Sequence, residues 1–294
     1  MKAAVLGSPI AHSLSPVLHR AGYAALGMDG WSYEAIECAE AELPALVGSC
    51  GEDWAGLSLT MPLKRAVLPL LDQVEPLAAE VGGANTVVFS AGQRHGYNTD
   101  VPGMAAALAA AGLTSPRSAT ILGAGATACS ALAALRQAGL HEVTVAVRDK
   151  ARAGGLLAVA GRLGTQVELR PLGDPGRPLP AMEDLLVSTV PAGAADLYAE
   201  RIRSGTDVPG AVFDVVYAPW PTPLAQAAGA AGAVVISGFE LLLHQAARQL
   251  ELMTGQRPAP LEAMRAAGLA ELDRRAVLAR GDDCPVSGKP ALPH

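Results

Sequence analysis

The sequence predicts an α/β protein made of two α/β domains. Its 294 residues exceed the roughly 100–200 residues of a single domain. Half of the residues are hydrophobic and 17% are charged, a composition that supports large buried cores and excludes a disordered chain. Short apolar runs alternate with segments of helical period along most of the chain, which is the pattern of strand–helix–strand units.

Two series of such units follow one another. In the first half, apolar runs at 3–7, 31–37 and 57–60 predict strands, and helices are expected to begin near Ser15 and Ala39. In the second half, strands are expected within the segments 120–124, 143–147, 167–172, 185–190, 211–216 and 233–238. With helices between these strands, the second half is expected to form a doubly wound parallel sheet.

Charge and cysteine content limit the kinds of ligand and partner that the protein is expected to bind. The formal charge is −6 and no basic stripe is present, which disfavours a nucleic-acid surface. The cysteines form no CxxC pair and the histidines no metal-ligand spacing, so neither a disulfide framework nor a metal site is indicated. Glycines and prolines interrupt the two longest uncharged stretches, which disfavours membrane spans. These patterns predict a cytoplasmic protein that binds a small molecule.

The sharpest local signal is a glycine-rich turn after the strand near residue 120. This run has the GxGxxA form, opens a helix, and consists of Gly123, Ala124, Gly125, Ala126, Thr127 and Ala128. Glycines in such a turn let the backbone approach a pyrophosphate, which the helix amides and the helix dipole then hold. The run predicts a Rossmann-like dinucleotide site, and an ordinary glycine turn is the structural alternative.

Residues after the next strand select the cofactor. A carboxylate at that strand end would hold the ribose diol of NAD, whereas guanidinium groups would hold the 2′-phosphate of NADP. Val147 stands at the strand end, and Arg148, Lys150 and Arg152 follow it closely. These cations favour NADP over NAD. Asp149 leaves the other outcome open, because its carboxylate could pair with a ribose or repel a phosphate.

Several polar residues of the first half have structural interpretations when each is read alone. Ser15 and Pro16 fit the N-cap and first position of a helix, and Asp100 fits a cap as well. Lys64 follows Pro62 in the first turn of an expected helix, where the helix dipole disfavours a cation. Such a lysine is either a solvated surface residue or a residue whose positive charge is needed by a group nearby.

Read together, seven ordered motifs resemble the shikimate dehydrogenase family. In order along the chain they are GSPIAHSLSP at 7–16, LSLTMPLK at 57–64, GGANTV at 82–87, YNTD at 97–100, GAGATA at 123–128, DVVYAPWPTPL at 214–224 and GFELLLHQ at 238–245. Seven motifs in a fixed order are far more specific than any one of them. The resemblance covers about residues 1–270.

The resemblance implies the reversible NADPH-dependent reduction of 3-dehydroshikimate to shikimate, in the shikimate pathway of aromatic amino-acid biosynthesis. It implies Lys64 as the acid–base group and Asp100 as its partner. A lysine within hydrogen-bond reach can neutralise the charge that grows on the substrate oxygen during hydride transfer. The substrate is then expected in a cleft between the two domains.

The same resemblance implies two sets of binding residues. The substrate would be held by Ser13, Ser15, Thr60, Asn85, Asp100, Tyr217 and Gln245. Both serines would contact its carboxylate. The cofactor would be held by Gly123, Ala124, Gly125, Ala126, Thr127, Arg148, Arg152, Thr189, Val215 and Gly238.

Departures from the family pattern leave alternatives open. Ser58 stands where the family usually has Asn beside the substrate, and Val147 and Asp149 replace the usual Asn and Thr in the cofactor loop. One alternative is therefore a quinate/shikimate dehydrogenase that uses NAD or both cofactors. A cofactor-binding module without turnover is the alternative from a different class. Such a module would need neither Lys64 nor Asp100.

The chain is expected to divide at the Ala-rich helix that precedes the glycine-rich turn. Residues 1–101 would form the substrate domain, completed by 239–273, because the resemblance places Gln245 at the substrate. Residues 102–238 would form the dinucleotide-binding domain. From 274 to 294 the periodicity is weak, so a mobile tail is predicted there. The protein is expected to be a monomer or a homodimer.

Overall fold

A computed structural model describes residues 1–173, 184–205 and 208–281. Its first group of elements comprises β1 (Lys2–Gly7), α1 (Ser15–Ala25), β2 (Ser32–Glu37), α2 (Leu43–Ser49), β3 (Trp54–Leu59), α3 (Leu63–Ala66), β4 (Gln73–Val74), α4 (Pro76–Val81), β5 (Thr86–Ser90), β6 (Gln93–Tyr97) and α5 (Asp100–Ala110). Its second group comprises β7 (Ala119–Leu122), α6 (Ala126–Gln137), β8 (Glu142–Val147), α7 (Gly154–Leu163), β9 (Gln166–Pro171), β10 (Leu185–Ser188), α8 (Asp196–Arg203), β11 (Ala211–Asp214), α9 (Pro223–Ala230), β12 (Val234–Ser237), α10 (Gly238–Thr254) and α11 (Leu261–Gly281).

The first sheet is mixed and has the strand order β2-β1-β3-β5-β6-β4. Strand β1 runs parallel to β2 and β3, whereas β5 runs antiparallel to β3 and β6. Every residue of β1 after Lys2 is buried, so the strand is a continuous apolar run rather than an alternating one. The carboxyl end of β1 leads into the loop that carries Ser13, and that of β3 leads into the short helix α3, which carries Lys64.

The second sheet is parallel throughout and has the strand order β12-β11-β10-β7-β8-β9. The order reverses between β10 and β7, and the crevice at such a reversal is where open α/β sheets bind ligands. The glycine-rich turn follows β7 at this point. The predicted fold class, two α/β units with a doubly wound Rossmann-like sheet in the second, is confirmed.

Helix α5 connects the two sheets and packs against both α6 and α10. The Asn98 side chain accepts the N–H of Val101, so the helix begins at Asp100. Residues 101 and 102, between which the chain is predicted to divide, are consecutive residues of this helix, and the division itself stays a prediction.

Helices α10 and α11 return to the first sheet. Leu243 and Leu250 of α10 and Met264 of α11 share one buried core with Val5 and Leu18. The chain thus crosses back after β12, which brings α10 against β3 and β5. This packing carries the polar face of α10 to the same end of the first sheet as the loops after β1 and β3.

Helix α11 continues to Gly281, which corrects the predicted start of a tail at 274. Glu271 pairs with Arg274 at 2.7 Å and with Arg275 at 2.7 Å. Such pairs, three and four residues apart, stabilise a helix whose apolar periodicity is weak. Residues 282–294 of the predicted tail lie outside the described residues.

Two kinds of feature are absent from the described ranges. None of the helices in residues 1–173, 184–205 and 208–281 has the length and apolarity needed to cross a bilayer. In the same part of the chain, no three His, Cys, Asp or Glu side chains come together as metal ligands would.

His19 of α1 is a fully buried titratable group. Its ring stacks on Tyr33 with the ring centroids 3.9 Å apart. Its Nδ1 lies 2.9 Å from the carbonyl oxygen of Ser15 and must donate to it, whereas Nε2 has no partner among the described residues. Burial lowers the pKa of His19 to about 4, because a charged ring would lose its hydration.

We expect His19 to reduce the stability of the protein as the pH falls. Unfolded histidine has a pKa near 6.5 and folded His19 one of about 4, so between these values the unfolded state binds more protons. The free energy of unfolding should therefore fall by about 2 kcal/mol between about pH 7 and about pH 5 on account of this group. Urea unfolding of wild type and His19→Gln at both pH values measures it. The same pH dependence in both proteins would contradict the assignment.

Candidate active site

The predicted polar residues meet in a cleft of about 320 Å³ between the two sheets. Its lining includes Ser13, Ser15, Thr60, Lys64, Asp100, Thr127, Val215, Tyr217, Gly238 and Gln245. These residues come from loops at the carboxyl ends of strands in both sheets and from helices α1, α3, α5, α6 and α10. The structure therefore brings the expected catalytic residues, most of the expected substrate residues, and Val215 and Gly238 together, while their individual roles stay predictions. Asn85 and Thr189 are not part of the lining, and the hydroxyl of Thr189 donates to the carbonyl of Leu122 at 2.6 Å.

A lysine–aspartate pair lies in the wall of the cleft. Lys64 is the second residue of α3, which begins directly after Pro62. Its Nζ lies 2.6 Å from Asp100 Oδ2. Both side chains are largely buried, with 14% and 4% of their surfaces exposed. Thr99 stands at the N-cap of α5, and the side chain of Asn98 before it accepts the N–H of Val101 at 3.2 Å. The carboxylate of Asp100 is therefore free to face the lysine, where it forms a short charge-assisted hydrogen bond.

Asn85 links this pair to α10. Its side chain is fully buried, and its Nδ2 donates to Asp100 Oδ1 at 2.9 Å and to Gln245 Oε1 at 2.8 Å. Its Oδ1 accepts from the N–H of Thr99 at 2.8 Å and from the hydroxyl of Thr86 at 3.0 Å. Because both amide hydrogens are used, Asn85 in this arrangement orients Asp100 and Gln245. A direct bond from Asn85 to the substrate stays a prediction.

Sequence reasoning missed Gln249 and Tyr33. Gln249 lies one helical turn after Gln245 on α10, a spacing that puts both on one face and could have indicated it. Its Oε1 accepts from Ser58 at 2.9 Å and its Nε2 donates to the carbonyl of Asn85 at 3.2 Å. The hydroxyl of Tyr33 donates to Ser58 Oγ at 2.6 Å. Two buried partners thus fix Ser58, the residue that departs from the family pattern.

The two serines after β1 lie at one end of the cleft. Ser13 Oγ accepts the N–H of Ser15 at 3.2 Å, and α1 begins at Ser15 with Leu14 before it. The expected N-cap role of Ser15 is therefore wrong, because Leu14 stands at the N-cap and its carbonyl accepts the N–H groups of Val17 and Leu18. As an acceptor in that bond, Ser13 keeps its own hydroxyl hydrogen to donate into the cleft.

The glycine-rich turn faces the cleft from the second sheet. Gly123 has φ +102°, and a Cβ at this position would lie 2.8 Å from the hydroxyl oxygen of Thr189, so a larger residue is excluded. A Cβ at Gly125 would point into open space, and no side chain caps the N-terminus of α6. The first-turn amides are therefore exposed beside an open surface, which suits a pyrophosphate group.

The loop after β11 packs closely against the first residue of α10. A Cβ on Gly238 would lie 2.0 Å from the carbonyl oxygen of Val215, so only glycine permits this contact. The buried carboxylate of Asp214 accepts from the hydroxyl of Thr222 at 2.7 Å and from the N–H of Val216 at 3.2 Å. These bonds fix the loop on which Val215 and Tyr217 stand.

The cations that are predicted to select the cofactor follow β8. Arg148 and Arg152 are exposed, and neither has an ion-pair partner within the residues that the structure describes. Asp149 accepts the N–H of Ala151 at 2.9 Å and so caps a short 3-10 helix, Lys150–Ala153. Its carboxylate is therefore engaged with the backbone. The free guanidinium groups fit a 2′-phosphate better than a ribose diol.

A larger cavity, of about 480 Å³, lies at the opposite end of the strands of the second sheet. Residues at the amino ends of β7, β8, β9 and β10 line it, and none of the predicted site residues does. Because open parallel sheets bind ligands outside the carboxyl ends of their strands, the smaller cleft is the candidate active site.

Comparison with known proteins decides the family. Residues 5–87 match the family model described as "Shikimate dehydrogenase substrate binding domain". Residues 238–267 match "Shikimate 5'-dehydrogenase C-terminal domain". A curated relative, "Shikimate dehydrogenase (NADP(+))" of Synechococcus sp. (strain JA-2-3B'a(2-13)), is 38% identical over 280 residues, which is 91% of this chain and 94% of the relative. The chain belongs to the shikimate dehydrogenase family.

Solved structures of this family have the same fold. The shikimate dehydrogenase of Mycobacterium tuberculosis is 43% identical, with a TM-score of 0.82 over 92% of this chain and 99% of that one. The Thermus thermophilus enzyme, solved in complex with NADP(H) and shikimate, is 35% identical, with a TM-score of 0.78 over 92% and 99%. The resemblance to shikimate dehydrogenases that the ordered motifs indicated is thus confirmed.

Proposed function

We propose that this protein is an NADP-dependent shikimate dehydrogenase that interconverts 3-dehydroshikimate and shikimate. The observation that carries the proposal is the pair of Lys64 Nζ and Asp100 Oδ2, 2.6 Å apart in the cleft. The pair lines the same cleft as Thr127 at the start of α6, so a proton donor and the expected dinucleotide site border one substrate position. The relatives named above, which are NADP(+)-dependent shikimate dehydrogenases, support the same reaction.

Proton transfer is assigned to Lys64. NADPH, when bound, supplies the hydride that the substrate carbonyl carbon accepts. Negative charge then grows on the carbonyl oxygen, and Lys64 donates a proton to it. Asp100 holds the ammonium group, and Asn85 holds Asp100, so the proton donor is oriented before the substrate arrives. In the reverse direction Lys64 accepts the proton of the substrate hydroxyl.

The other polar groups of the cleft position the substrate. Ser13 and Ser15 are assigned to its carboxylate, with Tyr217 at the same end. Thr60 and Gln245, together with Asp100 and Asn85, are assigned to its hydroxyl groups. Gln245 uses its oxygen to accept from Asn85, so its amide hydrogens can donate to a substrate oxygen.

The cofactor is assigned to the turn and helix start from Gly123 to Thr127. Arg148 and Arg152 are assigned to the 2′-phosphate, which favours NADP over NAD. The nicotinamide half is assigned to Thr189, Val215 and Gly238, which stand beside the turn and the cleft. A cytoplasmic location and a monomeric or homodimeric state stay predictions.

We expect at least a tenfold preference for shikimate over quinate in kcat/KM. Quinate carries one more hydroxyl at the carbon that bears its carboxylate, next to the position assigned to Ser13 and Ser15. The Ser58 hydroxyl donates to Gln249 and accepts from Tyr33. It therefore has little capacity left to form a hydrogen bond with the extra hydroxyl of quinate. A buried hydroxyl without a partner costs roughly 1–3 kcal/mol, or about one to two decades in kcat/KM.

Reduced-nicotinamide absorbance, with shikimate or quinate and with NADP or NAD, tests both the function and this preference. Fast turnover of shikimate with NADP is the expected result. Comparable kcat/KM values for the two acids would favour the quinate/shikimate alternative, and faster turnover with NAD would reverse the cofactor assignment. Cofactor binding without turnover of either acid would identify a binding module and overturn the proposed function.

A further inference from the structure

The C-terminal helix α11 reaches the substrate end of the cleft through one arginine. Arg275 donates from Nη1 to the carbonyl of His12 at 2.7 Å and from Nη2 to the carbonyl of Ser13 at 3.4 Å. Its Nε donates to Glu271 Oε1 at 2.7 Å, which orients the guanidinium group. Arg275 lies beyond the segment 238–267 that matches the C-terminal family model.

The loop that Arg275 holds carries the residues assigned to the substrate carboxylate. Ser13 stands in this loop, and its Oγ accepts the N–H of Ser15, so the loop backbone sets the position of both hydroxyls. Glu37 holds the other side of the loop, because its carboxylate accepts from the N–H of Ile10 at 3.0 Å. The loop is thus held between a carboxylate of β2 and a guanidinium group of α11.

Arg275 brings a positive charge near this end of the cleft. Glu271 is shared by Arg274 and Arg275, so these three side chains carry one net positive charge, and the carboxylate of Glu37 lies on the other side of the loop. Burial raises the pKa of Tyr217, and the positive charge of Arg275 acts in the opposite direction, which places that charge within electrostatic reach of a cleft residue. At the other end of the cleft, by contrast, Asp100 offsets the charge of Lys64.

We propose that Arg275 is a positioning residue for the substrate carboxylate, which holds the Ser13 loop in its binding geometry and so sets the affinity for shikimate. The inference rests on the proposed function and adds to it a determinant on α11. Arg275 acts through the loop backbone, because its bonds go to the carbonyls of His12 and Ser13. Lys64 and the glycine-rich turn are held by other elements, so proton transfer and cofactor binding should not depend on it.

The test compares three variants by shikimate titration calorimetry without cofactor and by steady-state kinetics. Arg275→Ala is expected to raise the Kd and KM for shikimate about tenfold, with kcat within about threefold of wild type and an unchanged Kd for NADP. Arg274→Ala is the matched control, because Arg274 binds the same carboxylate at 2.7 Å and is 60% exposed. It should resemble wild type. Arg275→Lys keeps the charge without the fork that spans two carbonyls, so its Kd should lie between those of wild type and Arg275→Ala.

The outcomes separate the inference from the proposed function. Wild type that binds no shikimate would overturn the proposed function itself. Wild-type binding with an unchanged Kd in Arg275→Ala would overturn the inference alone, and so would equal losses for Arg274→Ala and Arg275→Ala. If Arg275→Ala does not fold, Arg275→Lys decides, since a wild-type Kd in that variant would show that the bonds to the loop do not matter.

Discussion

Lys64→Ala is expected to lower kcat by a factor of about 10²–10⁴ while the KM for shikimate changes far less. The lysine acts where charge develops, on the oxygen of the carbonyl that accepts the hydride, and less on the bound ground state. The side chain is 14% exposed and its Nζ lies 2.6 Å from Asp100 Oδ2, so its removal leaves a buried carboxylate without its cation. Steady-state and single-turnover rates of shikimate oxidation measure the effect, the second so that slow product release does not hide the chemical step.

Two further variants give this prediction its controls. Lys64→Arg keeps the positive charge beside Asp100 but holds its proton too firmly to release it at neutral pH. It should therefore remain strongly impaired, which separates proton transfer from charge alone. Lys2→Ala removes a lysine that pairs with Asp53 at 2.8 Å on the exposed surface, and it should leave kcat unchanged. A Lys64→Ala enzyme within about threefold of wild-type kcat would refute the role of this residue.

Local pattern predicted the fold class, but not the antiparallel strands β5 and β6 of the first sheet. The continuous apolar run of β1 and the glycine-rich turn after β7 are determined by neighbours in the chain, and both occur where they were expected. The prediction of the proposed catalytic residues needed more than local pattern. Taken alone, Lys64 can be read as a solvated lysine and Asp100 as a helix cap. The order of the seven motifs indicated that both belong to one site. In the structure these two side chains, 36 residues apart, make a direct hydrogen bond.

The hydrogen-bond network that supports the candidate active site could not be predicted from the sequence, because its bonds join distant parts of the chain. Ser58 and Gln249 are 191 residues apart, and Arg275 and His12 are 263 residues apart. No local periodicity encodes which polar side chains share a buried hydrogen bond. The end of α11 was missed for a different reason, since ion pairs around Glu271 rather than apolar spacing mark its last turns.

Replacing both Arg148 and Arg152 by alanine is expected to raise the KM for NADP about 100-fold and to leave the KM for NAD nearly unchanged. Each guanidinium group can form charge-assisted bonds to a 2′-phosphate, worth roughly 1.5–3 kcal/mol apiece. NAD has no such phosphate to lose. Titration calorimetry with adenosine 2′,5′-bisphosphate and with adenosine monophosphate measures the same difference without turnover. Only the bisphosphate should bind more weakly to the double variant.

Arg94→Ala provides the matched arginine control, because Arg94 pairs with Asp72 at 2.9 Å in the first sheet, away from the cofactor loop. It should leave the affinities for both cofactors unchanged. An equal loss for NADP and NAD in the double variant would show that Arg148 and Arg152 do not recognise the phosphate. Asp149→Ala would then be the next variant to measure, since Asp149 is the carboxylate of that loop. In the present arrangement its Oδ1 accepts the N–H of Ala151 at 2.9 Å, and a ribose diol would have to displace that bond. For this reason we expect NADP to remain the preferred cofactor of the wild-type enzyme.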